Sequence, residues 1–183
     1  MQLTTKRLIL GDLNEEDLKV LPNLIDDLEV SRFLAVVPYP YKKKEAKLFV
    51  EHCKAEAEKK PRENYEFGIV FKENNELIGC IGLTKVNRWD GKATLGYWLG
   101  KKYWRCGIMY EACEEILRFA FETLKLQRID ITAAVENEAS NNLIKKLGAS
   151  FEGTAKRYHR AKSTGKYHDA NLYGLLKEEY KNG

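Results

Sequence analysis

Nowhere do the 183 residues contain a run approaching the ~18 consecutive apolar residues that a membrane-spanning helix needs. The first apolar run, Leu8-Ile9-Leu10, is too short for the core of a signal peptide and stops at Gly11-Asp12. Neither membrane contact nor secretion is expected. Cysteine is scarce: Cys53, Cys80, Cys106 and Cys113 form no CxxC pair and have no histidines at zinc spacing. The expectation is free thiols in a reducing cytoplasm, with no metal. The three histidines, His52, His159 and His168, lie in no nucleophile motif, which argues against Cys106 or Cys113 as a covalent nucleophile. His168 and Asp169 are adjacent on an expected strand and so point to opposite faces, away from a shared metal. Only four prolines occur, and no linker, repeat or low-complexity segment interrupts the chain. Residues 1–183 therefore read as one domain, long enough to close a hydrophobic core unaided.

Hydrophobic residues make up 44% and charged residues 32%, the balance of a soluble globular protein. The net charge of +4 is too mild to argue for direct nucleic-acid binding. Its distribution is uneven. Residues 1–40 carry four basic and seven acidic groups, 41–62 eight and four, 63–155 twelve and thirteen, and 156–183 seven and three. Two basic segments thus flank a nearly neutral middle. They are solvated faces in the simpler reading, and a rim for an anionic ligand or an RNA-rich partner in the sharper one. Trp89, Trp98 and Trp104 read as core or site walls, without the aromatic–basic interleaving of an RNA platform.

Periodicity supplies the elements. Thr4–Leu10 reads as a strand, Asn14 opens a helix running toward Leu28, and 42–60 is amphipathic with Ala46, Phe49, Val50 and Cys53 on one face. The period changes to two over Tyr65–Phe71, Leu77–Val86 and Thr94–Leu99, with turns at Glu73–Glu76 and Trp89–Lys92. From Gly107 the helical period returns, with Ile108, Ala112, Ile116, Phe119, Ala120 and Leu124 on one face. Arg128–Val135 is a strand, Asn137–Leu147 a helix closed by Gly148, and Ser150–Arg160 and Tyr167–Leu176 a hairpin around Ser163-Thr164-Gly165. The order predicts a mixed α/β domain of the α+β type. Its sheet is mostly antiparallel, with about seven strands flanked by about four helices and one crossover unit. The C-terminal hairpin offers an edge for pairing into a homodimer.

Two junctions carry chemistry. Gly96-Tyr97-Trp98-Leu99 runs through Lys101-Lys102-Tyr103-Trp104-Arg105-Cys106 into a helix beginning Gly107-Ile108-Met109. Free N–H groups at such a helix start, with the macrodipole and Lys101, Lys102 and Arg105 nearby, suit a pyrophosphate. The second is Asn137-Glu138-Ala139-Ser140-Asn141-Asn142, ending at Leu147-Gly148. Asn137 is a natural N-cap, and polar uncharged groups at the mouth of a strand can hold amides and a thiol.

In this order and at these spacings the two junctions, together with Ile78-Gly79-Cys80-Ile81-Gly82-Leu83, resemble the GNAT superfamily of N-acetyltransferases, in its RimJ/RimL-type branch of ribosomal-protein N-terminal acetyltransferases. Thr5-Lys6-Arg7-Leu8-Ile9-Leu10 and Gly165-Lys166-Tyr167-His168-Asp169 through Tyr173 extend the resemblance over nearly the whole chain. The resemblance implies acetyl-CoA as acyl donor. It implies a pyrophosphate on the Trp104, Arg105, Cys106, Gly107, Ile108 and Met109 turn, and a pantetheine along Tyr97, Trp98 and Leu99 with Asn137 and Asn142 in contact. It also implies Ser140 near the sulfur, able to protonate the leaving thiolate. The family's turn usually begins with Gln or Arg and ends with Gly or Ala; here Trp104 and Met109 hold those places, and Arg105 replaces a glycine. Arginine fits there if its φ stays negative. The glutamate that many relatives carry before Gly-Tyr is missing, which leaves Glu66 as the nearest carboxylate candidate for a base.

That gap bears on the acceptor. An α-amine with pKa ~7.8 is about one-seventh neutral at pH 7, whereas a lysine at ~10.4 is about 0.04% neutral, a difference of roughly 3.5 kcal/mol. A site without a strong base suits an α-amine. The expected activity is direct acetyl transfer to a protein or peptide N-terminus. The alternatives are transfer to a polyamine, amino acid or antibiotic amine, and a CoA-binding sensor without turnover.

Overall fold

The stretch Thr4–Leu10 folds back on itself rather than running straight. Thr5 N–H donates to the Leu8 carbonyl (3.0 Å) and Leu8 N–H to Thr5 Oγ1 (2.9 Å), which splits the expected strand into β1 (Gln2–Thr4) and β2 (Leu8–Asp12). The structure, a computed structural model, describes residues 1–180.

The helix expected from Asn14 toward Leu28 is broken. A short turn at Glu16–Lys19 leads to α1 (Leu21–Ile25) and α2 (Leu28–Ser31). Pro22 sits in the first turn of α1, where its missing N–H costs nothing. Asp27 restarts the chain as a helix by accepting Glu29 N–H at 2.8 Å. Asp26 accepts Tyr41 N–H at 2.7 Å, a bond to a remote segment that a continuous helix could not make. By contrast α3 (Lys43–Glu58) forms where its periodicity placed it, burying Ala46, Val50 and Cys53. Its Glu45 carboxylate accepts the Lys42 N–H at 3.0 Å, in the manner of a capping box.

Strands β3 (Tyr65–Phe71), β4 (Leu77–Asn87), β5 (Lys92–Leu99), β6 (Arg128–Ala134), β7 (Ser150–Arg160) and β8 (Tyr167–Leu176) complete one sheet. Helix α4 (Ile108–Arg118) crosses from β5 to β6 and ends in a wider π-type turn at Phe119–Thr123; α5 (Glu138–Lys146) follows β6. The strand order is β1-β2-β3-β4-β5-β6-β8-β7, and β5–β6 is the one parallel pair. Strand alternation separates the faces. Tyr65 and Phe67 point toward α4 and meet Phe119 edge-on, whereas Glu66 points to the opposite face, where Cys53 of α3 meets it.

Candidate active site

The parallel pair opens partway. Residues 92–95 of β5 pair with 128–131 of β6, ending at Leu95↔Ile131. Beyond that point Gly96–Leu99 remain paired with β4, and Thr132–Ala134 with β8, but not with each other. The sheet therefore carries a gap with a free backbone edge on β5. Gly100 N–H bonds to the Ile78 carbonyl (2.9 Å), and the Trp98 carbonyl lies toward Gly79, so both residues turn their backbone to β4. Alternation then turns the backbone groups of Tyr97 and Leu99 to the gap. Trp98 contributes its side chain on the Glu66 face. The Leu99 carbonyl accepts Trp104 Nε1–H at 2.9 Å, so Trp104 closes one end of the edge.

Gly107, at φ +69°, opens α4 from the left-handed region, with the first N–H groups of the helix facing outward. Arg105 also lies in that region, at φ +62°, where a negative φ had been expected. The side chain is held there at a cost of roughly 1–2 kcal/mol, which a glycine would avoid. The charge around this turn also differs from expectation. Lys101 is ion-paired with Glu29 and Lys102 with Glu76, so the local positive charge comes from Arg105 and from Arg7 of the β1–β2 turn. Arg7 reaches the turn from far in sequence: its Nη1 donates to the Cys106 carbonyl (3.2 Å) and its Nε to Glu111 Oε2 (2.6 Å). Glu111 also accepts the Arg7 N–H (2.8 Å) and the Thr5 hydroxyl (2.5 Å). These partners outweigh its partial burial and hold its carboxyl below the usual range.

Across the gap, Asn137 caps α5, its Oδ1 accepting Ser140 N–H at 3.3 Å. The Ser140 hydroxyl lies 2.8 Å from the Tyr97 hydroxyl. Burial pushes the Tyr97 phenol well above its ordinary value, so it stays protonated and can donate to Ser140. Sequence reading missed Asn141. Its Nδ2 donates to the carbonyls of Ala134 (2.9 Å) and Asn137 (2.8 Å), and its Oδ1 accepts from Asn171 (2.9 Å) and Tyr173 (2.7 Å). This buried side chain uses its full hydrogen-bonding capacity to tie β6, α5 and β8 together beside the gap. Asn142, the neighbour singled out from the sequence, is exposed.

Glu66 lies on the other face. Its cross-strand neighbours are Gly82 on β4 and then Gly96 on β5, so no side chain stands between the carboxylate and the edge of the gap. A Cβ at Gly82 would strike the Tyr65 carbonyl oxygen at 2.4 Å, whereas one at Gly96 would meet nothing within 4 Å. The row is a shallow trough. Cys53 Sγ lies 3.2 Å from Glu66 Oε2, and burial raises the Cys53 thiol far above its ordinary value, so it stays protonated and donates to the carboxylate.

The structure thus gathers Tyr97, Leu99, Asn137 and Ser140 around the gap, sets Trp104–Met109 at the start of α4, and brings Glu66 to the trough. Among the described residues, no group of three or more His, Cys, Asp or Glu side chains could hold a metal ion, and no helix is long and apolar enough to cross a membrane.

Comparison with known proteins matches residues 7–150 to the acetyltransferase (GNAT) domain. The chain is 30% identical to an uncharacterized N-acetyltransferase, p20, from Bacillus licheniformis over 180 residues, covering 97% of both chains. It is also 30% identical over 108 residues to the ribosomal-protein-serine acetyltransferase of Escherichia coli, covering 59% of each. Among solved structures, a putative ribosomal-protein-serine acetyltransferase from Vibrio cholerae superposes with a TM-score of 0.80 at 26% identity, covering 96% of this chain and 97% of that one. A spermidine N-acetyltransferase from the same organism shares the fold, with a TM-score of 0.80 at 21% identity over 96% of this chain and 99% of that one. The sheet, its single parallel pair and the family match lead to one conclusion: this chain belongs to the GNAT family of N-acetyltransferases.

Proposed function

We propose that this protein transfers the acetyl group of acetyl-CoA directly to the α-amine of a peptide or protein N-terminus. The observation that carries the reading is the gap itself: a free backbone edge with a Tyr97–Ser140 pair on one side and a carboxylate reached over glycines on the other. The residues present fit the donor. The Tyr97 and Leu99 backbone groups can extend the sheet onto a pantetheine amide, and the N–H groups after Arg105 can face a pyrophosphate, with Arg105 and Arg7 adding charge. Acetyl-CoA supplies an activated thioester carbonyl.

The chain's own groups divide the remaining work. Glu66 takes the proton of the amine, directly or through water, while the Cys53 thiol orients it. The backbone edge at Tyr97 and Leu99 offers N–H groups to the developing oxyanion, a contribution of about 3 kcal/mol per well-placed donor. Asn137 orients the pantetheine arm. Ser140 delivers a proton to the leaving sulfur and draws on the Tyr97 hydroxyl behind it. An α-amine suits a site whose carboxylate lies across a trough rather than at the strand edge, and the relative that acetylates a ribosomal-protein serine supports the peptide reading.

Thiol release from acetyl-CoA against N-terminal peptides, free amino acids and polyamines tests this, with calorimetric titration of CoA on the same preparation. Release with peptides is the expected result. Release with polyamines alone would move the protein to the small-amine class, and CoA binding without release from any acceptor would make it a sensor. Absence of CoA binding would mean that Trp104, Arg105 and Met109 had disabled the turn.

A further inference from the structure

Two histidines on the Glu66 face have no role in the chemistry above. His168 of β8 pairs in register with His159 of β7, and their rings stack with centroids 5.5 Å apart and planes tilted by 30°. Phe33, just after α2, meets the His168 ring edge-on at 5.4 Å. The segment bearing Phe33 is tied over the pair. Lys162 N–H donates to the Ala35 carbonyl (3.2 Å) and Ser163 Oγ to the Ser31 carbonyl (3.0 Å), which joins the β7–β8 hairpin to the end of α2.

His168 is only 6% exposed, yet neither of its ring nitrogens has a hydrogen-bond partner among the described residues; nor does His159 Nε2. His168 Nδ1 lies 3.5 Å from Glu136 Oε2, within reach of an ion pair but not aligned as a hydrogen bond. A buried imidazole left unpaired costs about 1–3 kcal/mol, so three unpaired nitrogens in one place call for a ligand. Their position says which one. Glu136 immediately precedes the Asn137 cap, and β8 places His168 one alternation beyond Ala170, which pairs with Ala134 at the end of the gap. The pair therefore flanks the gap on the side from which an amine would approach, opposite Glu66.

We propose that His168, backed by His159, binds the first peptide group of the acceptor, next to the reactive amine; this rests on the reading that the acceptor is an α-amine. A neutral imidazole offers one N–H donor and one acceptor lone pair. A peptide presents a carbonyl and an N–H beginning two bonds from its α-amine and can use both. A lysine side chain or a polyamine presents only methylenes at that distance and would leave the nitrogens unpaired, which is a strong basis for rejecting it. Burial, reinforced by His168, holds His159 below its ordinary value and so keeps it neutral. The charged group facing the pair is Glu136.

The test compares wild type, His168→Leu and His168→Gln with an alanyl dipeptide amide and with butylamine as acceptors, alongside CoA titration. His168→Leu should raise the KM for the dipeptide amide about tenfold, leave the butylamine rate within about twofold of wild type, and leave the CoA Kd unchanged. His168→Gln, which keeps a donor and an acceptor, should recover most of the dipeptide affinity. Equal losses with both acceptors, a shifted CoA Kd, or a glutamine variant as impaired as the leucine one would overturn the proposal while leaving the acetyltransferase reading intact. Wild-type turnover of butylamine but not of the dipeptide amide would overturn the α-amine reading, and this proposal with it.

Discussion

The two sides of the gap are built by different means. On the donor side, the β5 edge, the start of α4 and the cap of α5 each come from a short continuous segment, and much of the binding surface is backbone. On the acceptor side, Glu66 comes from β3, Phe33 from the segment after α2, and His159 and His168 from the terminal hairpin, each contributing one side chain. Backbone geometry is compatible with many sequences, so a donor shared across a family can be held by it. An acceptor that differs between members has to be read by side chains that can vary independently. The donor side nonetheless depends on two long-range ties, the Arg7–Glu111 contact and the Asn141 network.

Breaking the Asn141 network should have the largest effect. Asn141→Ala leaves the buried Tyr173 hydroxyl and the Ala134 carbonyl short of partners, and should cost about 3 kcal/mol in urea unfolding. A loss under about 1 kcal/mol would show that the donor side stands on local structure alone. Next is Glu66→Gln, which should lower kcat/KM about a hundredfold at neutral pH and remove the acidic limb of its pH profile, with the CoA Kd unchanged. A retained acidic limb would assign the base elsewhere. Ser140→Ala should lower kcat about thirtyfold while the KM for acetyl-CoA stays within twofold. Tyr97→Phe alone should cost less, and the double variant no more than Ser140→Ala, if the two hydroxyls act in series.

The smallest effect expected is at Glu111. Its folded carboxyl is held below the ordinary 4.5, so the stability it contributes is present above that value and is lost as pH falls through the lower folded value. Unfolding followed from pH 6 to pH 3 should therefore show a shallower acid loss for Glu111→Gln than for wild type. Parallel curves would mean that the clasp on the α4 turn is not electrostatic.

The donor side was legible because its signals are local. Gly107 at a strand-to-helix junction, Asn137 three residues before Ser140, and the unbroken period of α4 are visible within a few positions of one another. The helix drawn from Asn14 toward Leu28 failed because its apolar spacing does not register the bond from Tyr41 to Asp26 or the fresh cap at Asp27. Asn141 was passed over because nothing distinguishes an asparagine in mid-helix until Asn171 and Tyr173 arrive from another strand. Arg105 in the left-handed region was hidden for a related reason: intrinsic preference argues against it, and the packed turn overrides that preference.

By itself, then, the order of residues determined the alternation of strands and helices, the crossover and the anion-facing turn, because hydrogen bonding and hydrophobic period act over a turn or two of chain. Tertiary structure alone decided where β5 and β6 part, that glycines lie between Glu66 and the gap, and that two histidines from a distant hairpin are buried beside it. Those outcomes depend on strand register and on contacts across more than a hundred residues of chain, and no local pattern carries that information.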